Sequence, residues 1–172
     1  MAQFYQLAGT QLSLPDYARI DLAFTSSVTA PKPAAGLEYT YAIAGKYIEI
    51  PMIVVFSFTT SGTVAARIPY VRVTDGGSGI ILLAPPPALQ TATTLIDYVY
   101  TVGSAYAFGP VGAIATMGMP AVALLPSCLL QIQIGSLQAG DQLSNITVTT
   151  VKIPTGPALV LPSVTAVTPV LV

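Results

Sequence analysis

Six basic side chains, seven carboxylates and a single thiol are the whole stock of charged or nucleophilic groups beyond hydroxyls in this 172-residue chain, which contains no His. Two carboxylates facing each other across a sugar would make a glycosidase pair. Here Asp16, Asp21, Glu38, Glu49, Asp75, Asp97 and Asp141 are scattered, with Asp75 and Asp141 in turn sequences and Asp16 beside Pro15. Asp forms turns through its own side-chain hydrogen bonds, so the structural reading of these residues is favoured over a catalytic pair. A Ser or Thr nucleophile needs a base, and without His only Lys46 or Lys152 could serve, as in Ser–Lys arrangements. No motif sets a Ser beside either lysine. Cys128 could act as a nucleophile, but no His stands ready to activate its thiolate. Within Leu124-Leu125-Pro126-Ser127-Cys128-Leu129-Leu130 it reads instead as a small buried hydrophobe, and it has no partner for an internal disulfide.

Other short patterns are equally bland. Gly76-Gly77-Ser78-Gly79 looks like a phosphate-cradling loop, yet it lacks the Lys and the following helix that mechanism requires, and it reads as a hairpin turn. No cluster of His, Cys or carboxylates has metal-ligand spacing. Asn145-Ile146-Thr147 matches the glycosylation sequon, but Met1-Ala2-Gln3-Phe4-Tyr5-Gln6 has neither the basic start nor the long apolar core of a secretory signal. The residues therefore predict no enzyme, no metal and no cofactor. Arg67 and Arg72 carry the most information among the charges. On a strand between Ala66 and Val73 they fall on opposite faces, so at least one points into an otherwise apolar face and needs a carboxylate. Glu49 and Asp97 are the expected partners within the chain, and a contact between subunits is the alternative.

The elements that must position these groups are read from composition and period. Charged residues make up 8 % of the chain, against about a quarter in an ordinary domain, and the formal net charge is −1. A balanced charge excludes the basic stripe of a nucleic-acid binder. So few charges promote association, and an assembly that covers apolar surface is expected. The length fits one domain with a real core. Val111 to Leu130 is free of charge and long enough to cross a bilayer as a helix, but Pro120 and Pro126 interrupt it and it runs into the alternating Gln131-Ile132-Gln133-Ile134. No membrane span is expected.

Strand signals dominate from Lys46 onward. Ile48, Ile50, Met52, Val54, Phe56 and Phe58 share one phase, with Pro51 marking an edge position or a bulge. Arg67 to Thr74 and Ile80 to Ala84 flank the turn Asp75-Gly76-Gly77, a strong hairpin signal. Gln90 to Val102 shows an even-numbered apolar face, Gly103 to Gly118 a long loop or weak strand, and Leu129 to Leu137 a further strand. In the last strand, Ser144 to Ile153, the apolar phase slips from Ile146 and Val148 to Val151 and Ile153, which predicts a β-bulge near Thr149 and Thr150. No stretch has helical periodicity. About eight short strands joined by Gly/Pro turns indicate an all-β sandwich, most simply an eight-stranded jelly roll over 19–153. Residues 1–18 read as an N-terminal arm and 154–172 as an apolar, Pro-rich C-terminal arm.

That C-terminal arm has no charge, and Pro154, Pro157, Pro162 and Pro169 divide it. Disordered tails are normally polar, so an apolar one calls for cover, and exchange of an extended arm between subunits is the expected answer. Pro157, Leu159, Leu161, Val164, Val167, Val170 and Leu171, with Arg67 and Arg72, are the candidate interface residues. Nine Tyr are consistent with both interfaces and strands.

Tyr47-Ile48-Glu49-Ile50-Pro51, then Arg67 to Gly77, then Leu129 to Ile134 followed by Gln138-Ala139-Gly140-Asp141-Gln142-Leu143-Ser144-Asn145-Ile146, resembles small virion proteins of tailed bacteriophages, the jelly-roll capsid decoration (cement) proteins. The resemblance covers residues 46 to 153 and lies in strand order and turn wording. It implies a homotrimer on the outer capsid surface of the virion, made in the host cytoplasm, whose partner is the major capsid protein and whose terminal arms bridge capsomers. It brings no catalytic residue and no cofactor, and the apolar tail goes beyond the family's pattern. A receptor- or glycan-binding head of a tail or head fibre, and a self-assembling coat protein, are the alternative readings.

Overall fold

Alternating apolar and polar side chains become strands wherever the chain supplies a partner in register. The computed structural model describes residues 5–7, 10–12, 23–77, 79–84, 89–105, 107–108 and 114–155. All regular structure among them is β. The strands are β1 (Tyr5–Leu7), β2 (Thr10–Leu12), β3 (Phe24–Thr29), β4 (Tyr39–Ala42), β5 (Tyr47–Thr59), β6 (Ile68–Thr74), β7 (Ile80–Ala84), β8 (Leu95–Val102), β9 (Ala107–Phe108), β10 (Ile114–Met119), β11 (Leu129–Gly135) and β12 (Gln142–Pro154).

Two sheets face each other across one core, as a β-sandwich. One has the order β3-β12-β5-β8-β10-β9 and the other β4-β11-β6-β7, while β1 and β2 form a separate hairpin. Neighbours are antiparallel except β8 and β10, which run parallel. Val54, Phe56, Phe58, Tyr98 and Tyr100 from the larger sheet meet Val71, Val73, Leu130, Ile132 and Ile134 from the smaller one. Phe56 lies between two tyrosine rings, with centroids 5.1 Å from Tyr98 and 6.0 Å from Tyr100. Cys128 is buried in this core. A thiol reagent should therefore leave the native chain unlabelled and label one thiol per chain in denaturant; rapid native labelling would contradict the buried placement.

Two bulges shape the central pair β5–β12. The first falls between Ser144 and Thr147, where β12 carries an extra residue at Asn145–Ile146 and Asn145 takes a positive φ of 50°. The second is the slip predicted at Thr149 and Thr150, and its extra residue, Met52, lies on β5. Pro51 sits at this bulge and pairs with β12 alone, because the β8 pairing of β5 begins only at Ile53, so its missing N–H leaves no ladder bond unmade on the β8 side.

The bulge corrects the single apolar face expected along β5. Val54, Phe56 and Phe58 point into the core, but the register change turns Glu49 and Pro51 inward and leaves Ile48, Ile50 and Met52 half-buried on the other side. One other expectation is revised, and strands appear beyond those expected. Residues 90–94 form a bridge and turn ahead of β8, with Thr93 at φ 56°. The weak strand allowed for over 103–118 is β10, which runs on to Met119 and pairs with β8 in parallel. Strands β3 and β4 lie ahead of Lys46, separated by a connection that contains Pro31 and Pro33. The charge-free segment 111–130 contains β10, and no helix among the described residues is long and apolar enough to cross a membrane.

Candidate functional site

Arg67 precedes β6 and points inward, as its position opposite in phase to Arg72 requires. Its side chain is fully buried and all five of its N–H donors are used. Nε and Nη2 reach the two oxygens of Asp141, each at 2.9 Å, in a fork-to-fork pair. Nη1 donates to the carbonyls of Thr63 at 2.7 Å and Ala65 at 2.8 Å, and Nη2 also donates to the Ser61 hydroxyl at 3.0 Å. Asp141 in turn accepts from the Ser61 N–H and hydroxyl and from the Gln138 N–H. The partner expected for Arg67 was Glu49 or Asp97; it is Asp141, because both others are engaged elsewhere in the fold.

Position explains this clamp. The connections 30–38, 60–67, 85–94 and 136–141 each carry the chain from one sheet to the other. Gly36 N–H donates to the Asp141 carbonyl, and the Arg67 and Gln90 backbones exchange a pair of hydrogen bonds. Gln90 is itself buried, donating to the carbonyls of Phe58 and Thr94 and accepting from Tyr98. One ion pair and its neighbours thus fasten four crossovers at one end of the sandwich. Gly36 is required there: it has φ +73°, and a Cβ would come 2.9 Å from the Ala139 backbone.

The opposite end has a second buried polar cluster. Glu49 Oε2 accepts from Tyr41 at 2.9 Å and Thr150 at 3.0 Å, while Lys152 Nζ lies 3.3 Å from Oε1 without hydrogen-bond alignment. Glu49 also pairs through its backbone with Leu124. Tyr41 belongs to the smaller sheet, so the cluster tethers the two sheets. Lys152 covers the Tyr47 ring at 5.5 Å. Burial opposes the lysine's charge, but Glu49 and Tyr41 outweigh it and raise its pKa.

The remaining candidates are dispersed. Arg72 lies on the outer face of the smaller sheet, where Nη1 reaches Gln133 at 3.3 Å and Tyr70 shares that acceptor at 3.0 Å. Asp97 accepts from Ser57 across β5 and β8. Asp75 accepts from the N–H groups of Gly77 and Gly79 and shapes the β6–β7 turn. Pro157, Leu159, Leu161, Val164, Val167, Val170 and Leu171 lie outside the described residues, as does all of 1–18 apart from β1 and β2. Sequence reasoning read Asp141 as a turn residue and missed its ion pair. The available signal was an Asp in a turn, Gln138-Ala139-Gly140-Asp141, at the mouth of an apolar sandwich that holds an inward Arg.

Both clusters are knit into their own chain, the first of them completely. Every polar atom of the Arg67–Asp141 pair is already engaged, and among the described residues no three of His, Cys, Asp and Glu could hold a metal. The described surface also exposes large apolar side chains among its polar ones. Val64 is 94 % exposed on the 60–67 connection, Leu89, Leu95 and Leu125 are exposed, and so are Ile80, Ile81 and Leu83 on β7, the outermost strand of the smaller sheet.

The charges set a pH profile. Burial would raise the Asp141 carboxyl, but Arg67, the N–H groups of Ser61 and Gln138 and the Ser61 hydroxyl outweigh it and hold it at about 2, below the ordinary 3.8. A depressed folded pKa means that its contribution is complete above about pH 4 and is lost as pH falls through about 2; that contribution is about 2 kcal/mol. Burial raises Tyr98 and Tyr100, whose stabilisation is complete below about pH 10 and is lost as pH rises through their folded values. With no His between these limits, urea midpoints should be level across neutral pH and fall on both sides. Asp141→Asn should flatten the acid limb; an unchanged acid slope in that variant would contradict the assignment.

Comparison of the chain with family models, curated proteins and solved structures finds no match.

Proposed function

We propose that this chain is a structural protein of a virion, a jelly-roll subunit that self-associates and seats on the capsid lattice of a tailed bacteriophage to stabilise it. Strand order supports the jelly roll: β3-β12-β5-β8 and β4-β11-β6-β7 interleave early and late strands as two four-stranded sheets, with β10 and β9 added beyond β8. The observation that carries the functional reading is how side chains are divided. Buried Arg67, Asp141, Glu49 and Gln90 fasten the sandwich from within, whereas branched aliphatic side chains stand in solvent on β7 and around the clamped end. Such a molecule acts through apolar contact, gaining about 25 cal/mol per Å² covered before association costs are subtracted. Many copies on one lattice add avidity. The resemblance of residues 46–153 to decoration proteins supplies the partner, the major capsid protein, and the place, the outer capsid surface.

The test is co-sedimentation of the purified chain with bare capsids of the same virus. Saturable binding that raises the temperature of capsid disruption is expected. Failure to bind such capsids overturns the decoration reading. Selective retention on host polysaccharide would replace it with a receptor-binding head, and closed particles formed by the chain alone would replace it with a coat protein.

A further inference from the structure

Edge strands are normally protected, because their free N–H and C=O groups recruit other chains. Short length, charged side chains, Pro or bulges do the protecting. Strand β7 has the first and, at Ile81, the last of these, but it has no charge and reads Ile-Ile-Leu-Leu-Ala. Leu82 and Ala84 face Val73 and Val71, which leaves Ile80, Ile81 and Leu83 in solvent, Leu83 at 51 %. Strand β10 approaches from the facing sheet, yet among the described residues only β6 pairs with β7. Three branched aliphatics beside an open backbone edge make a template for one more strand.

The chain carries a segment of matching character. Residues 156–172 have no charge, and Val164-Thr165-Ala166-Val167-Thr168, between Pro162 and Pro169, is a β-forming run as long as β7. Pro162 and Pro169 bound this run and limit it to a short strand, a length that matches β7. Its point of departure is also informative. Thr155 N–H is held on the Lys46 carbonyl at the turn between β4 and β5, and β4 is the far edge of the same sheet, with β11 and β6 between it and β7. The tail thus leaves on one flank of the molecule and the open edge lies on the other, which suits delivery to a neighbour. Seventeen residues span at most about 60 Å when extended, enough to cross to an adjoining subunit.

We propose that the outer edge of β7 is the docking site for segment 156–172 of a second copy of this chain, which adds a strand there and covers Ile80, Ile81 and Leu83. Each copy presents one tail and one edge, so exchange can close into a symmetric oligomer. The inference rests on the self-association proposed above and is independent of the capsid partner.

The experiment compares three full-length or near-full-length chains by light scattering and thermal unfolding: the wild type, a chain ending at Thr155, and Ile81→Lys/Leu83→Lys. The wild type should be a discrete oligomer. Both variants should be monomers that melt cooperatively, since β12 is complete at Pro154 and the substituted side chains are exposed. Mixed together, the two monomers should form a one-to-one heterodimer, because one retains the edge and the other the tail. An oligomer that survives truncation, cooperatively melting variants that stay monomeric when mixed, or a monomeric wild type overturns the proposal. If either variant loses its cooperative melt, Leu83→Cys/Val167→Cys in the otherwise intact chain decides the matter: covalent multimers on a non-reducing gel support exchange, and monomer alone contradicts it. Capsid co-sedimentation is read separately, so tail exchange without capsid binding would overturn only the decoration reading.

Discussion

Replacing Arg67 with alanine is expected to lower the unfolding free energy by about 3–5 kcal/mol, a large part of the 5–15 kcal/mol that holds an ordinary domain together. The loss comes mainly from what the arginine leaves behind. Asp141 would stay buried with only Ser61 and Gln138 as donors, and the carbonyls of Thr63 and Ala65 would lose their partner. A buried ion pair is not inherently stabilising, since its Coulomb gain is offset by desolvation, but half of one is costly. Two controls follow. Arg72→Ala, on the outer face with a single 3.3 Å contact to Gln133, should cost less than about 1 kcal/mol. Arg67→Met combined with Asp141→Leu should recover much of the single-variant loss, because no unpaired charge remains. Urea denaturation measures all three; an Arg67→Ala chain within about 1 kcal/mol of wild type would show that the clamp does not fasten the crossovers.

Phe56→Ala should cost about 3–5 kcal/mol, the range for deleting a buried aromatic side chain. Phe56 is fully buried and stacked between Tyr98 and Tyr100, so the substitution opens a cavity and removes two ring contacts from the centre of the larger sheet. The informative comparison is Ile50→Ala on the same strand. Unbroken alternation would place Ile50 on the face of Phe56. The bulge at Met52 puts it on the other face, half-buried, and its truncation should cost under about 1.5 kcal/mol. Equal losses at the two positions, read from urea midpoints at constant m, would mean that β5 is unbroken and Glu49 is not turned inward.

How legible the fold was varied with how local its cause was. The β6–β7 hairpin could be read because Asp75-Gly76 dictates the turn, and Ile80–Ala84 and the start of β11 at Leu129 were correctly bounded by turn residues. The slip near Thr149 and Thr150 could be read from the phase of β12, but not which strand carries the extra residue, since register belongs to a pair. Strands β3 and β4 escaped notice because Phe-Thr-Ser-Ser-Val-Thr and Tyr-Thr-Tyr-Ala are short and polar, and each is a strand through a long-range partner, β12 and β11 respectively. Strand β10 was legible only as a weak strand within 103–118, because Gly118 lies within it and its partner is parallel, which no local pattern announces. At the candidate site, the opposite facing of Arg67 and Arg72 followed from period two alone. The partner Asp141 lies 74 positions away and is brought to Arg67 by the crossovers, so only the assembled sandwich identifies it.

The central claim is that this chain acts by associating through its surface, and native mass tests it most directly. Light scattering coupled to size exclusion, on the purified full chain at neutral pH, should return a discrete oligomer, a trimer of 17.8 kDa chains under the decoration reading. A stable, soluble monomer of 17.8 kDa across the accessible concentration range would contradict both the self-association and the tail exchange built on it.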